Sequence, residues 1–180
     1  MKILKDSQDC CGCEACANAC PVKAISMQPI NGFLYPVIDE SRCIDCGRCR
    51  QICPVINVQY NNLTKPLCYA ACAEDAERVN SSSGGAFSIL AKHVLKTGGI
   101  VVGAAFNEKW GVNHILIDNA KDLEKLRGSK YLQSSMGSCY KPIKENLKKF
   151  PLSISEIKHE DGKIPNYRFV IMMIKYMLYL

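Results

Sequence analysis

The chain has 180 residues, 48% of them hydrophobic, a formal charge of +6 and twelve cysteines. Its longest apolar run, Phe169 to Leu180, is broken by Lys175 and falls short of the roughly 20 residues that cross a bilayer. The start, Met1-Lys-Ile-Leu-Lys-Asp6, predicts no secretory leader, and no Lys/Arg block offers a phosphate-binding face. Membrane spanning, secretion and nucleic-acid binding are therefore set aside.

The cysteines concentrate between Cys10 and Pro54, where one pattern is written twice. Cys10-x2-Cys13-x2-Cys16-x3-Cys20-Pro21 recurs 33 residues later as Cys43-x2-Cys46-x2-Cys49-x3-Cys53-Pro54. Three thiols two residues apart can wrap one loop around three irons of a cubane. The fourth, three residues further on, opens a short helix that points away from that cube, so it serves the neighbouring one. The spacing predicts two 4Fe–4S clusters, one on Cys10, Cys13, Cys16 and Cys53, the other on Cys43, Cys46, Cys49 and Cys20. The proline after each fourth cysteine suits a first helical position. Zinc sites are the competing reading, but they use two separated cysteine pairs, and no histidine lies within residues 1–67. A disulfide framework would need an oxidising compartment, whereas thiolate ligands fit a reducing cytoplasm. Two oxidised clusters would remove about four charges, leaving about +2 overall and about −3 on residues 1–67. Cys11 reads as a spare thiol.

Between the copies, Asn31-Gly32 flanked by apolar residues predicts a hairpin of two short strands. Ile25, Phe33, Tyr35 and Ile38 would shield the clusters from water, and Asp39 and Ser41 would cap the turn into the second loop. The chain turns polar between Val55 and Pro66, which places a linker over 58–66. Leu67 to Ala73 reads as a buried strand with Cys68 and Cys72 as small hydrophobes.

Asn80-Ser-Ser-Ser-Gly84-Gly85 leads into a helix from Ala86 to Thr97, with Phe87, Leu90, Ala91, Val94 and Leu95 at helical spacing. Small residues before a helix start would let an anionic ligand approach free N–H groups, although a plain serine cap explains them as well. Strands at Ile100 to Phe106 and Val112 to Ile117 follow. A short helix from Ala120 to Arg127, capped by Asn119, comes next. A last helix starts close to Tyr140, because Pro142 is tolerated only in a first turn; Cys139 is expected buried near its start. The alternation suggests a layered α/β unit over 67–149.

Leu67-Cys-Tyr-Ala-Ala, Ser81-Ser-Ser-Gly-Gly-Ala-Phe, Gly99-Ile-Val-Val-Gly-Ala-Ala-Phe and Leu123-Glu-Lys-Leu-Arg-Gly-Ser-Lys-Tyr-Leu-Gln-Ser134 occur in that order behind the cysteine segment. This resembles the beta-subunit family of coenzyme F420 hydrogenases and dehydrogenases, over about Cys10 to Lys149. The resemblance implies an oxidoreductase subunit that passes electrons between iron–sulfur clusters and a flavin, usually FAD, which exchanges a hydride with coenzyme F420 or another acceptor. It implies flavin contacts at Ser82, Ser83, Gly84 and Gly85, with Lys130, Tyr131 and Gln133 beside the same pocket. Arg127 and Lys130 also read as solvated charges. Residues 150–180 depart from the family pattern and read as a divergent tail of a truncated or frameshifted subunit.

The expected fold class is α+β: a two-cluster ferredoxin-like domain over 1–57, the linker, and a small, incomplete α/β domain over 67–149. The expected role is electron transfer with a redox partner protein or another oxidoreductase subunit. The alternative is a free-standing carrier whose α/β segment only docks.

Overall fold

Asn31 and Gly32 reverse the chain between β1 (Ile25–Ile30) and β2 (Phe33–Ile38). Both turn residues have positive φ, 50° and 85°, as the primed turn of a two-residue hairpin requires. The strands pair antiparallel from Ile25↔Ile38 to Ile30↔Phe33, so the hairpin predicted from the sequence is present in full.

The computed structural model describes residues 3–4, 6–57, 70, 72–149 and 170–172. They fall into two units, the first holding the described residues up to 57 together with Ser135–Tyr140. In this unit α1 (Ala15–Ala19) packs against α2 (Arg48–Gln51) and β1. Its core is Ile3, Cys16, Cys49 and Cys53, with Leu4, Ile25, Ile38 and Val55 packed on it. Three of the four buried members are cysteines of the repeat. A core this small cannot carry a unit of this length by burial alone, which is the situation in which metal centres supply stability. Phe33 and Tyr35 are half-buried outside that core. Asp39 Oδ1 accepts hydrogen bonds from Ser41 N (3.0 Å) and Ser41 Oγ (2.6 Å). Its carbonyl takes the Cys43 amide at 3.0 Å, so the turn into the second loop is tied as expected.

The second unit is a three-stranded sheet of order β4-β3-β5 with helices packed on it. β3 (Ile100–Phe106) and β4 (Val112–Ile117) are antiparallel, and β5 (Val170–Met172) lies parallel to β3. The tail expected to be divergent thus contributes an edge strand. α4 (Ala86–Lys96) covers β3, and Ala91, Val94, Leu95, Val101, Ala105, Ile117, Leu123 and Leu126 form the core. Leu90 is not part of it: 55% of its surface is exposed, whereas Ser88 is 1% exposed. Ala91, Val94 and Leu95 are buried as expected and Phe87 packs on the core; the buried Ser88 finds a polar partner in Ser81 (3.4 Å between hydroxyl oxygens).

The helix expected over Ala120 to Arg127 is instead a 3-10 turn, Ala120–Asp122, followed by α5 (Leu123–Leu126). Eight residues are too few to hold a helix by themselves. Packing decides here, with Leu123 and Leu126 buried and Arg127 already extended. Asn119 does cap the turn, accepting the Asp122 amide at 3.2 Å. A short helix the sequence reading did not include, α3 (Asp75–Arg78), precedes the serine–glycine stretch. α6 (Tyr140–Lys149) begins where Pro142 predicts, and Cys139 sits just before it, half-buried. The strand expected at Leu67 to Ala73 lies largely outside the described residues. Within it, Cys72 is exposed, against its expected burial. Among the described residues no helix is long and apolar enough to cross a membrane.

Candidate functional site

The eight cysteines of the repeat line two separate cavities. Cys10, Cys13, Cys16 and Cys53 surround the first, with Cys11, Glu14, Met27, Pro36 and Val55 also on its wall. Cys20, Cys43, Cys46 and Cys49 surround the second, walled by Ile25, Ile38 and Ile44. Each cavity thus takes three thiols from one loop and one from just past the helix behind the other loop. That partition follows from local geometry. α1 carries the chain from Cys16 away to Cys20, and α2 does the same from Cys49 to Cys53, so the helices end before the fourth cysteines instead of opening at them, and Pro21 and Pro54 lie in turns, not at first helical positions. Among the described residues no three Cys, His, Asp or Glu side chains converge on a single ion position. A zinc ion bound by four thiolates would hold the sulfurs about 3.8 Å apart; a cubane takes one thiolate per iron and needs a cavity between them.

Both loops use the same backbone. Gly12 (φ 62°) and Glu14 (φ 60°) flank Cys13, and Asp45 (φ 51°) and Gly47 (φ 73°) flank Cys46. Left-handed residues before and after the middle cysteine let three thiols face one cavity. The sulfurs also accept backbone hydrogen bonds, from Gly12 N to Cys10 (3.4 Å) and from Ala24 N to Cys20 (3.2 Å). Such bonds tune a bound cluster's potential. Burial pushes the Cys10 thiol up and that of Cys16 up to about 11. A bound metal would have to drive their deprotonation. Cys11 is exposed; a hydrogen bond from the Cys13 thiol lowers it to about 6. The donor set, the cavities and the N–H···S bonds fit a 4Fe–4S cluster in each place.

Glu14 escaped the sequence reading. It is 5% exposed, and its carboxylate accepts the amides of Met136 and Gly137, each at 3.0 Å. Beside it Tyr140 Oη donates to the Cys13 carbonyl at 2.8 Å. A charged residue at a left-handed loop position was the available signal.

In the second unit, Ser81–Gly85 runs into α4 with no side chain among the described residues capping the helix. Ser82 and Ser83 are exposed, Gly84 half-buried and Gly85 buried. Gly85 has φ 83°, and a Cβ there would stand 2.8 Å from the Cβ of Ala73. The Gly84 carbonyl accepts the Ala73 amide at 2.6 Å. The glycine pair therefore already has a structural reason in its close approach to Ala73. Ser81 Oγ donates to the Glu77 carbonyl at 3.0 Å.

The solvated-charge reading of Arg127 and Lys130 fails. The Arg127 side chain is 10% exposed, and it donates to the Glu77 carboxylate, to Glu124 Oε1 at 2.7 Å and to the Asn80 carbonyl at 3.4 Å. It thereby holds the lead-in of the serine–glycine stretch to α5. Its Nε is buried without a partner among the described residues. Lys130 is 7% exposed and donates to the carbonyls of Arg127 (2.6 Å) and Lys125 (3.1 Å), closing the end of α5. Tyr131 is 84% exposed and Gln133 is half-buried. The expected cofactor residues thus divide into an open group, Ser82, Ser83 and Gly84, and a group held by protein partners, Gly85 and Lys130.

Two paired thiol cavities and a separate α/β unit define a class of iron–sulfur protein joined to a second module. Residues 9–57 match the family model of the 4Fe-4S dicluster domain, and residues 68–141 that of the coenzyme F420 hydrogenase/dehydrogenase beta subunit, N-terminal part. The chain belongs to the coenzyme F420 hydrogenase/dehydrogenase beta subunit family, with a 4Fe–4S dicluster domain ahead of it. It is 30% identical over 132 residues to a subunit of the F420H2 dehydrogenase of Methanosarcina mazei, covering 68% of this chain and 38% of that protein. It is 28% identical over 159 residues to a coenzyme F420-dependent sulfite reductase of Methanocaldococcus jannaschii, covering 83% of this chain and 24% of the other. A polyferredoxin-like protein of the latter organism is 41% identical over 58 residues, covering 27% of this chain and 34% of that protein. The chain thus spans well under half the length of these relatives.

Proposed function

We propose that this chain is an iron–sulfur electron-transfer protein that relays single electrons through two 4Fe–4S clusters toward a flavin/coenzyme F420 oxidoreductase module, as part of a beta subunit. The observation that carries this reading is the crosswise lining of two cavities by the eight repeated cysteines. In it the fold of the first unit is a two-cluster ferredoxin type. Cys10, Cys13, Cys16 and Cys53 hold the first cluster, and Cys43, Cys46, Cys49 and Cys20 hold the second. Bound clusters supply one-electron steps, and a flavin supplies the conversion to a hydride pair.

The residues of this chain bind, shield and tune. Ile25 and Ile38 exclude water from the second cavity, and the Gly12 and Ala24 amides stabilise negative charge on sulfur. In the second unit the start of α4, with Ser82, Ser83 and Gly84 in front of it, is the surface for a flavin pyrophosphate. The relatives named for coenzyme F420 support F420 as the hydride acceptor and further subunits as partners; thiolate ligation supports a reducing cytoplasm. A second reading, a carrier whose α/β unit docks without flavin, is favoured by the protein partners that already hold Gly85 and Lys130.

Anaerobic reconstitution followed by iron, sulfide and optical analysis tests both. About eight irons per chain with flavin bands beside the cluster absorbance supports the first reading, and cluster absorbance alone supports the second. Zinc, or far fewer irons after full reconstitution, would overturn the electron-relay assignment.

A further inference from the structure

The two cysteine loops are copies of one backbone, and this makes their differences informative. Glu14 occupies the position that Gly47 occupies in the second copy, 33 residues on. Both are left-handed, at φ 60° and 73°. Glycine adopts that conformation without strain, and a β-carbon at Gly47 would meet nothing within 4 Å. Glutamate is unfavourable there. A strained residue persists where its surroundings over-determine it, and such residues gather at functional sites.

The surroundings of Glu14 supply the determinant. Its two carboxylate oxygens each accept a backbone amide, Met136 on Oε1 and Gly137 on Oε2, both at 3.0 Å. A second link, from Tyr140 Oη to the Cys13 carbonyl at 2.8 Å, fastens the same segment to the same loop. The segment closes on itself through the Cys139 amide and the Met136 carbonyl at 3.0 Å, and Met136 is 4% exposed. Glu14 also lines the first cavity. Its counterpart Gly47 has no side chain with which to hold anything. The Cys139 thiol is raised by burial and then by the charge of Glu14, so that charge is felt within the segment.

We infer that Glu14 is a positioning residue: through the Met136 and Gly137 amides it straps Ser135–Tyr140 onto the loop of the first cavity, and its negative charge sets that cavity apart electrostatically from the second. Any cluster in the first cavity lies beside the buried Glu14, whereas the wall of the second carries an exposed carboxylate, Asp45, with Arg48 to offset it. An added negative charge favours the oxidised form, so the first site is the lower in potential on this account. This last part rests on the proposed crosswise ligation; the strap does not.

The test uses the full chain, purified without oxygen, with Glu14→Gln, Glu14→Asp and Glu14→Gly. Glu14→Gly restores the residue the fold uses in the other copy, so a folded variant is expected even where Glu14→Gln disturbs packing. Hydrogen exchange at the Met136 and Gly137 amides should speed up at least tenfold in Glu14→Gly. An EPR-monitored redox titration of Glu14→Gln should show one midpoint moving positive while the other stays, with Glu14→Asp closer to the parent. Unchanged exchange in Glu14→Gly would overturn the strap. Faster exchange with both midpoints moving together, or neither, would overturn the electrostatic role. If the parent itself takes up no iron, the cluster assignment fails, and the exchange arm still decides the strap.

Discussion

Replacing Gly85 by alanine isolates the close approach that shapes the serine–glycine stretch. Two effects oppose the new methyl group. At φ 83° an L-residue costs about 1–2 kcal/mol relative to glycine. In addition, the Cβ would sit 2.8 Å from that of Ala73, so Ala73 or the start of α4 must move. Overpacking of this kind adds about 1–3 kcal/mol. The combined cost is about 2–5 kcal/mol, enough to lower the unfolding temperature of the second unit by roughly 10 °C or more. Gly128 supplies the control: it too is left-handed, at 77°, but a Cβ there meets nothing within 4 Å. Gly128→Ala should therefore cost only the conformational part, about 1–2 kcal/mol. The assay is urea unfolding of the anaerobic protein, followed by amide exchange along β3, which belongs to the core that α4 covers. Equal midpoints for the two alanine variants would refute the argument, because the contact with Ala73 would then carry no cost.

Three further outcomes follow from the same geometry. Cys20→Ala should remove the cluster walled by Cys43, Cys46 and Cys49, and leave the signal of the one on Cys10, Cys13 and Cys16; iron content and EPR check which survives. Lys130→Met should destabilise the second unit by about 1–3 kcal/mol, since two carbonyls at the end of α5 lose a charged donor. Loss of flavin without any loss of stability in that variant would instead make Lys130 a ligand contact. The Lys92 hydrogen bond, with Arg127 adding its charge, holds the Glu77 carboxyl below the usual carboxylate range. Its contribution is complete above the unfolded value of about 4.3 and is lost as pH falls through the lower folded value. Acid unfolding of Glu77→Gln should be correspondingly less steep below pH of about 4.

Much of this architecture was written locally. Asn31-Gly32 demanded the hairpin, Pro142 located the start of α6, and an apolar run opened by three β-branched residues, Ile100 to Val102, marked β3. The cysteine spacing grouped three thiols in each loop and set the fourth apart, which is how the eight divide between the two cavities they line. The sequence said less where distant packing decides. Leu90 lies at helical spacing with the apolar residues of α4 yet is exposed, and the buried Ser88 finds its polar partner in Ser81. The Ala120–Leu126 stretch broke into two pieces because burial of Leu123 and Leu126 outweighed a weak helical preference. Arg127 and Lys130 looked solvated because their partners, Glu77, Asn80 and the end of α5, are set by the fold. Glu14 was the hardest to read, since the amides it holds lie more than a hundred residues away.

Cys20 and Cys53 each stand in the wall of the cavity opposite their own loop. Neither pocket can therefore be completed while the other segment is unfolded, so both loops must settle as one piece before either can fill. A growing chain that has not yet reached Cys53 offers the first pocket three thiols, not four. If the thiols hold clusters as proposed, such interlocking would delay metal uptake until both loops are folded.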